Sequence, residues 1–165
     1  MTDLPTYVLD REFDAPIALV WKAWTDPELL ARWYGPGVDT FIHALDVQTG
    51  GKWLCEMRMQ SGSMYQMAEF TEVVEHEKLV WLHTTTDESW SPAPNPMMPD
   101  WPQTLLTTVT FQALDPNRTA MRLTWAPHEA SETEIAAFAE ALHMMDRGWA
   151  TGMDVMAEIL AELQA

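Results

Sequence analysis

The stretch Ser131–Leu163, SETEIAAFAEALHMMDRGWATGMDVMAEILAEL, decides how this chain is read. Apolar or small residues recur in it at Ile135, Phe138, Leu142, Met145, Trp149, Gly152, Met156, Ile159 and Leu163. The steps alternate three and four, which is one face of a helix. Glu132, Glu134, Glu140, Asp146, Asp154, Glu158 and Glu162 fall off that stripe and give the opposite face to water. Ser131 and Glu134 are spaced as a capping box at the start. Such a helix runs roughly 50 Å at about 1.5 Å per residue, too long to bury its stripe against another short helix. It needs a broad partner. Gly148 and Gly152 weaken a helix, so the segment is either one helix that something approaches closely there, or a bent or divided one.

The segment from about Val38 to Trp125 supplies that partner. Phe41, His43, Leu45 and Val47 share a face by a period of two until Gly50 and Gly51 turn the chain. Trp53, Cys55, Met57 and Met59 do the same in the next strand, which ends in a turn at Ser61, Gly62 and Ser63. Tyr65 to Val74 and Lys78 to Thr86 are two further strands, with Leu79, Trp81 and His83 on one face of the second. Two more strands carry Leu105, Thr107, Val109 and Phe111, then Met121, Leu123 and Trp125. Most connections are short, which predicts an antiparallel meander. Glu88 to Gln103 is the exception, with five of the 11 prolines and with Trp90, Met97, Met98 and Trp101. A loop of that length and apolar content is expected to act as a lid.

Before the sheet, Tyr7 to Phe13 alternates as a strand. Pro16 then opens a short helix with Ile17, Val20, Trp21 and Trp24 at helical spacing. Thr25 and Glu28 are spaced to cap a second short helix, which Gly35, Pro36 and Gly37 end. The expected fold class is therefore α+β: seven antiparallel strands curving around a long C-terminal helix, with two short helices after the first strand. The space between sheet and helix is where a ligand would sit.

The 165 residues fit a single domain, 1–165, with 47% hydrophobic content. A formal charge of −16 repels nucleic acid and anionic membrane surfaces, so neither is an expected partner. Cys55 stands alone, Met1 to Tyr7 has no basic-then-apolar pattern, and no window approaches about 18 apolar residues. A cytoplasmic location without membrane insertion is expected. Nine Trp and 12 Met suit an adaptable apolar cavity as well as a core.

Several stretches taken in order resemble a known family. Phe13-Asp14-Ala15-Pro16 and the run from Val20 through Trp24-Thr25-Asp26-Pro27 to Trp33-Tyr34-Gly35-Pro36-Gly37 are similar to the opening signature of the SRPBCC superfamily. The branch is the one named after the activator of the heat-shock-protein-90 ATPase. Gly50-Gly51-Lys52-Trp53, Glu72-Val73-Val74 with Leu79-Val80-Trp81, and Gly148-Trp149 are similar to its later landmarks. The resemblance implies the helix-grip fold shared with START lipid-transfer domains, birch-pollen-allergen-like proteins and polyketide cyclases. Members bind lipids, hormones or polyketides, catalyse cyclisation and other reactions, or assist a chaperone. The eukaryotic chaperone activators carry an additional N-terminal domain with no counterpart in these residues.

The expected cavity residues are Trp53, Cys55, Met57, Trp81, His83, Met145, Trp149 and Gly152, from strand parity and the helix stripe. None is assigned a catalytic role. His43 and His83 both sit on apolar faces and could point inward, though a hydrogen-bonded core histidine is the commoner outcome. The histidines and Cys55 lack zinc-site spacings, so no metal or cofactor is expected. Glu69 and Glu72 differ in parity and should project from opposite faces, with the inward one unassigned. Binding of a small, largely apolar molecule is the leading reading. An enzyme of the cyclase or hydrolase kind would need His43, His83 or Glu72 to converge. A chaperone-assisting or other protein-binding module is third, and the Trp- and Met-rich loop would also allow a homodimer.

Overall fold

The segments of period two pair into one seven-stranded antiparallel sheet, and the capped 3.6-residue pattern at the end becomes the helix it grips. The computed structural model describes residues 4–35, 37–96 and 98–165; Pro36 and Met97 lie outside the described residues. Strands β1 (Tyr7–Phe13), β2 (Asp39–Leu45), β3 (Lys52–Met59), β4 (Gly62–Val74), β5 (Lys78–Thr86), β6 (Thr104–Asp115) and β7 (Arg118–Pro127) are joined by helices α1 (Ile17–Thr25) and α2 (Pro27–Trp33), and α3 (Glu132–Leu163) ends the chain. The sheet order is β1-β7-β6-β5-β4-β3-β2, so β2 to β7 form the meander and β1 adds itself beside β7. This is the α+β helix-grip fold.

The helix is one piece, 132–163, and neither glycine divides it. Ser131 accepts the Glu134 N–H at 3.1 Å while the Glu134 carboxylate accepts the Ser131 N–H at 3.0 Å, the full capping box. Phe138, Met153, Met156 and Ile159 are buried against the sheet, each stabilising the fold by about 1.5–3 kcal/mol. Leu163, at the end of the expected stripe, is 41% exposed. Val20, Leu30 and Trp33 of the short helices complete the core.

Three local expectations are corrected. The second short helix is capped by Asp26, whose carboxylate accepts from the N–H groups of Glu28 and Leu29, with Pro27 at the first helical position. Thr25 is still inside α1 and donates its hydroxyl to Trp21 O, so it cannot cap. In β2 a bulge between Ile42 and Ala44 breaks the alternation, leaving Phe41 and His43 on the outer face and turning Leu45 inward. In β4 a second bulge between Phe70 and Glu72 resets the parity. Glu69 and Glu72 therefore share the outer face, both exposed, and Glu72 pairs with Lys78 at 2.9 Å.

Candidate functional site

Most of the space between sheet and helix is filled. Trp53 packs edge-on against Trp81 and Tyr34, Trp24 against Trp33 and Trp81, and Trp125 against Phe138 and Trp149. What remains is a cleft of about 290 Å³ at one mouth of the grip. The end of α2 and its following turn (Trp33, Tyr34, Gly35), Met57 of β3, Trp125 of β7, and Met144, Met145, Gly148, Trp149 and Gly152 of α3 form its walls. Gly148 opens this space: a Cβ there would meet no atom within 4 Å. Among the described residues, no Lys, Arg, His, Asp or Glu is in the lining. Arg11 is paired with Asp154 and Arg58 with Glu56, both away from this lining.

Of the eight expected residues, Met57, Met145, Trp149 and Gly152 line this cleft. Trp53, Cys55 and His83 lie deeper, around a void shared with Gln66 and Ala68 that is too narrow for a water-sized sphere. Trp81 lines neither and is core, against Trp24, Trp53 and Phe70. Sequence reasoning missed Trp33, Tyr34, Gly35, Trp125, Met144 and Gly148. For Trp125 the inward parity of β7 was the available signal. Nothing in the period of α2 announces that the turn after it comes back over the helix.

Between cleft and void runs a short polar chain. The Tyr34 hydroxyl donates to Gln66 Oε1 at 3.3 Å, His83 Nε2 bonds the same oxygen, and Gln66 Nε2 donates to Met57 Sδ at 3.7 Å. Burial pushes the His83 imidazole down to about 4, so at neutral pH it is uncharged. Burial, helped by the Glu56 charge, pushes the Cys55 thiol up to about 12, so no thiolate is available. Burial, with a contribution from Cys55, also raises Tyr34. The interior is thus polar but uncharged. Among the described residues two buried side-chain atoms have no partner, Trp53 Nε1–H and the Thr107 hydroxyl, each at a cost of about 1–3 kcal/mol for a buried group.

The titratable groups that a reaction would need are not brought together. His43 bonds Glu56 on the outer face at 2.8 Å, Glu72 is outside with Lys78, and of the three only His83 is within. Glu56 is a buried carboxylate held to about 2 by its bonds to Arg58, Ser63 and His43. Trp90 covers that cluster, edge-on to His43 and Tyr65. Here the loop departs from the expected lid. It is pinned by the Gln103 amide to the carbonyls of Thr85 and Ala93, and Trp101 lies behind Trp125 against Phe138. None of its described residues lines the cleft.

The family model described as activator of Hsp90 ATPase homolog 1-like protein matches residues 14–161. Among solved structures the chain is similar to a protein of Arthrobacter aurescens, 26% identical over 95% of this chain and 86% of that one, with a TM-score of 0.78. A protein of Mycobacterium smegmatis is 23% identical over 96% of each chain, with a TM-score of 0.76. One of Rhodobacter sphaeroides is 16% identical over 96% of this chain and 93% of its own, also at 0.76. At the latter two identities the likeness carries the fold alone. No curated protein matches the chain.

Proposed function

The chain belongs to the activator of Hsp90 ATPase homolog 1-like family, and from that premise we propose that it is a single-domain cytoplasmic protein that binds a small, neutral, largely apolar molecule in the cleft between α2, the sheet and α3. The observation that carries the reading is the cleft wall, built of aromatic rings, methionines and glycine without an ionisable group other than the Tyr34 phenol. Trp and Met present broad, polarizable surfaces that adapt to apolar ligands. At about 290 Å³ the space is at the lower limit for drug-sized molecules, so the ligand is a compact one of one or two rings. An anion would be buried there with no paired cation, against a net charge of −16. Among the described residues no helix is long and apolar enough to cross a membrane.

Thermal denaturation with a panel of neutral apolar compounds tests this. At about 100 times its dissociation constant a ligand stabilises the native state by about 2.7 kcal/mol, which raises Tm by roughly 5–10 °C at this size. Trp149→Ala should reduce the shift, Glu158→Gln should not, and an anionic analogue should give less. A panel without any shift rejects the reading. A second occupant is favoured by one observation: Met144, on the cleft wall, is 60% exposed. An apolar side chain of a partner protein would cover it, and retention of the chain by such a partner, blocked by Trp149→Ala, would replace the small molecule.

A further inference from the structure

Cleft and void are separated only by side chains. Tyr34 and Met57 line the cleft, and both bond Gln66, which lines the void. Those bonds are weak: 3.3 Å for a phenol whose preferred distance is about 2.7–2.8 Å, and 3.7 Å to a thioether, a poor acceptor. Passage between the two spaces needs a torsional change at Met57 and at Tyr34, whose ring packs edge-on against Trp33, Trp53 and Trp149. Behind them, one buried indole N–H is unspent. Trp53 is 3% exposed, borders a void that no water can enter, and leaves its buried Nε1–H unbonded. Gln66 Oε1 already serves both Tyr34 and His83, while the Gln66 amide N–H reaches only sulfur. Among the described residues, no Lys or Arg borders either space.

We propose that cleft and void are two halves of one binding cavity, and that the ligand carries an uncharged oxygen acceptor, such as a ketone or ester carbonyl, which passes Tyr34 and Met57 and ends on Trp53 Nε1–H. The inference rests on the reading of the cleft as a ligand site and names its substrate class. The group is an acceptor because Trp53 Nε1–H, which can only donate, is the buried indole nitrogen left without a partner. It is uncharged because a carboxylate would enter with no cation to meet it. The apolar body stays among Trp125, Met145 and Trp149, and the carbonyl satisfies the unpartnered Trp53 Nε1–H.

Tetralin and α-tetralone differ by a carbonyl in place of one methylene, and calorimetric titration of the full chain with each tests the inference. Trp53→Phe should weaken α-tetralone about tenfold and tetralin less than about twofold, since only the ketone loses a hydrogen bond. Nitrogen-15 labelling of the tryptophans gives a second readout that needs no variant. One of the nine indole N–H resonances should move downfield with α-tetralone and not with tetralin. Equal weakening of both compounds by Trp53→Phe, or an indole spectrum that responds alike to both, overturns the inference and leaves the cleft a binding site. If neither compound binds the unaltered protein, the reading of the cleft falls and the inference with it.

Discussion

Gly148 is the position where stability and binding should move in opposite directions. It lies mid-helix in α3, on the cleft wall, and an added Cβ would touch nothing within 4 Å. Gly148→Ala therefore introduces no clash, and it removes the excess backbone freedom of the unfolded chain. In a helix interior that exchange gains about 0.8–1 kcal/mol. For a chain of this length the gain raises Tm by roughly 2–4 °C, readable by circular dichroism or calorimetry. Leucine has nearly the helix propensity of alanine, so Gly148→Leu should be at least as stable as the unaltered protein. Its isobutyl group, however, extends into the 290 Å³ that the ligand needs. Tetralin binding should be lost in Gly148→Leu and largely kept in Gly148→Ala. Gly152, one turn further on, is buried, and Gly152→Leu should instead cost about 1–3 kcal/mol through overpacking. A lower Tm for Gly148→Ala, or unaltered binding by Gly148→Leu, would refute the placement of this face of the helix.

His83 makes stability depend on pH: its folded value near 4, against 6.5, means that the unfolded chain binds more protons between the two. Its contribution is complete above the unfolded value and is lost as pH falls toward the folded one. From about pH 7 to about pH 5 the unaltered protein should lose about 2 kcal/mol that His83→Gln does not, and equal slopes for the two in denaturant titrations would contradict this. Ser131→Ala removes the side-chain half of the capping box and should cost about 1 kcal/mol by the same assay. Glu56→Leu leaves Arg58 and His43 without their buried counter-charge under Trp90, so hydrogen exchange at Asp87 to Ser91 should quicken while tetralin binding is unchanged.

The sheet, the long helix and its cap were legible in the sequence because each is a local signal. Trp53 and Cys55 in one strand and Trp81 in another fall on inward faces of period two and are buried, while Phe138, Met145, Met156 and Ile159 fall on one stripe of three- and four-residue steps and are buried too. Ser131 and Glu134 cap because their spacing alone brings them together. His43 and Glu72 were misplaced for an equally plain reason. A bulge adds one residue without changing the composition of a strand, and every residue beyond it changes face. The cleft was half legible: Met57, Met145, Trp149 and Gly152 could be placed on an inward face, but an inward face does not distinguish filling a core from bordering a space.

By itself, then, the sequence determined the elements, their antiparallel order from β2 to β7, the acidic surface and the family likeness, all of which depend on neighbours within a few residues. Only the tertiary structure decided that β1 pairs with β7, that the turn after α2 brings Tyr34 against Trp53 and Trp149, and that Trp81 fills space where Gly148 leaves it. It also decided that the proline-rich loop is tied down at Thr85 and Ala93 rather than spread over the cleft. Each of these is set by the distance of approach between elements remote in the chain, which depends on how all the buried side chains share one volume.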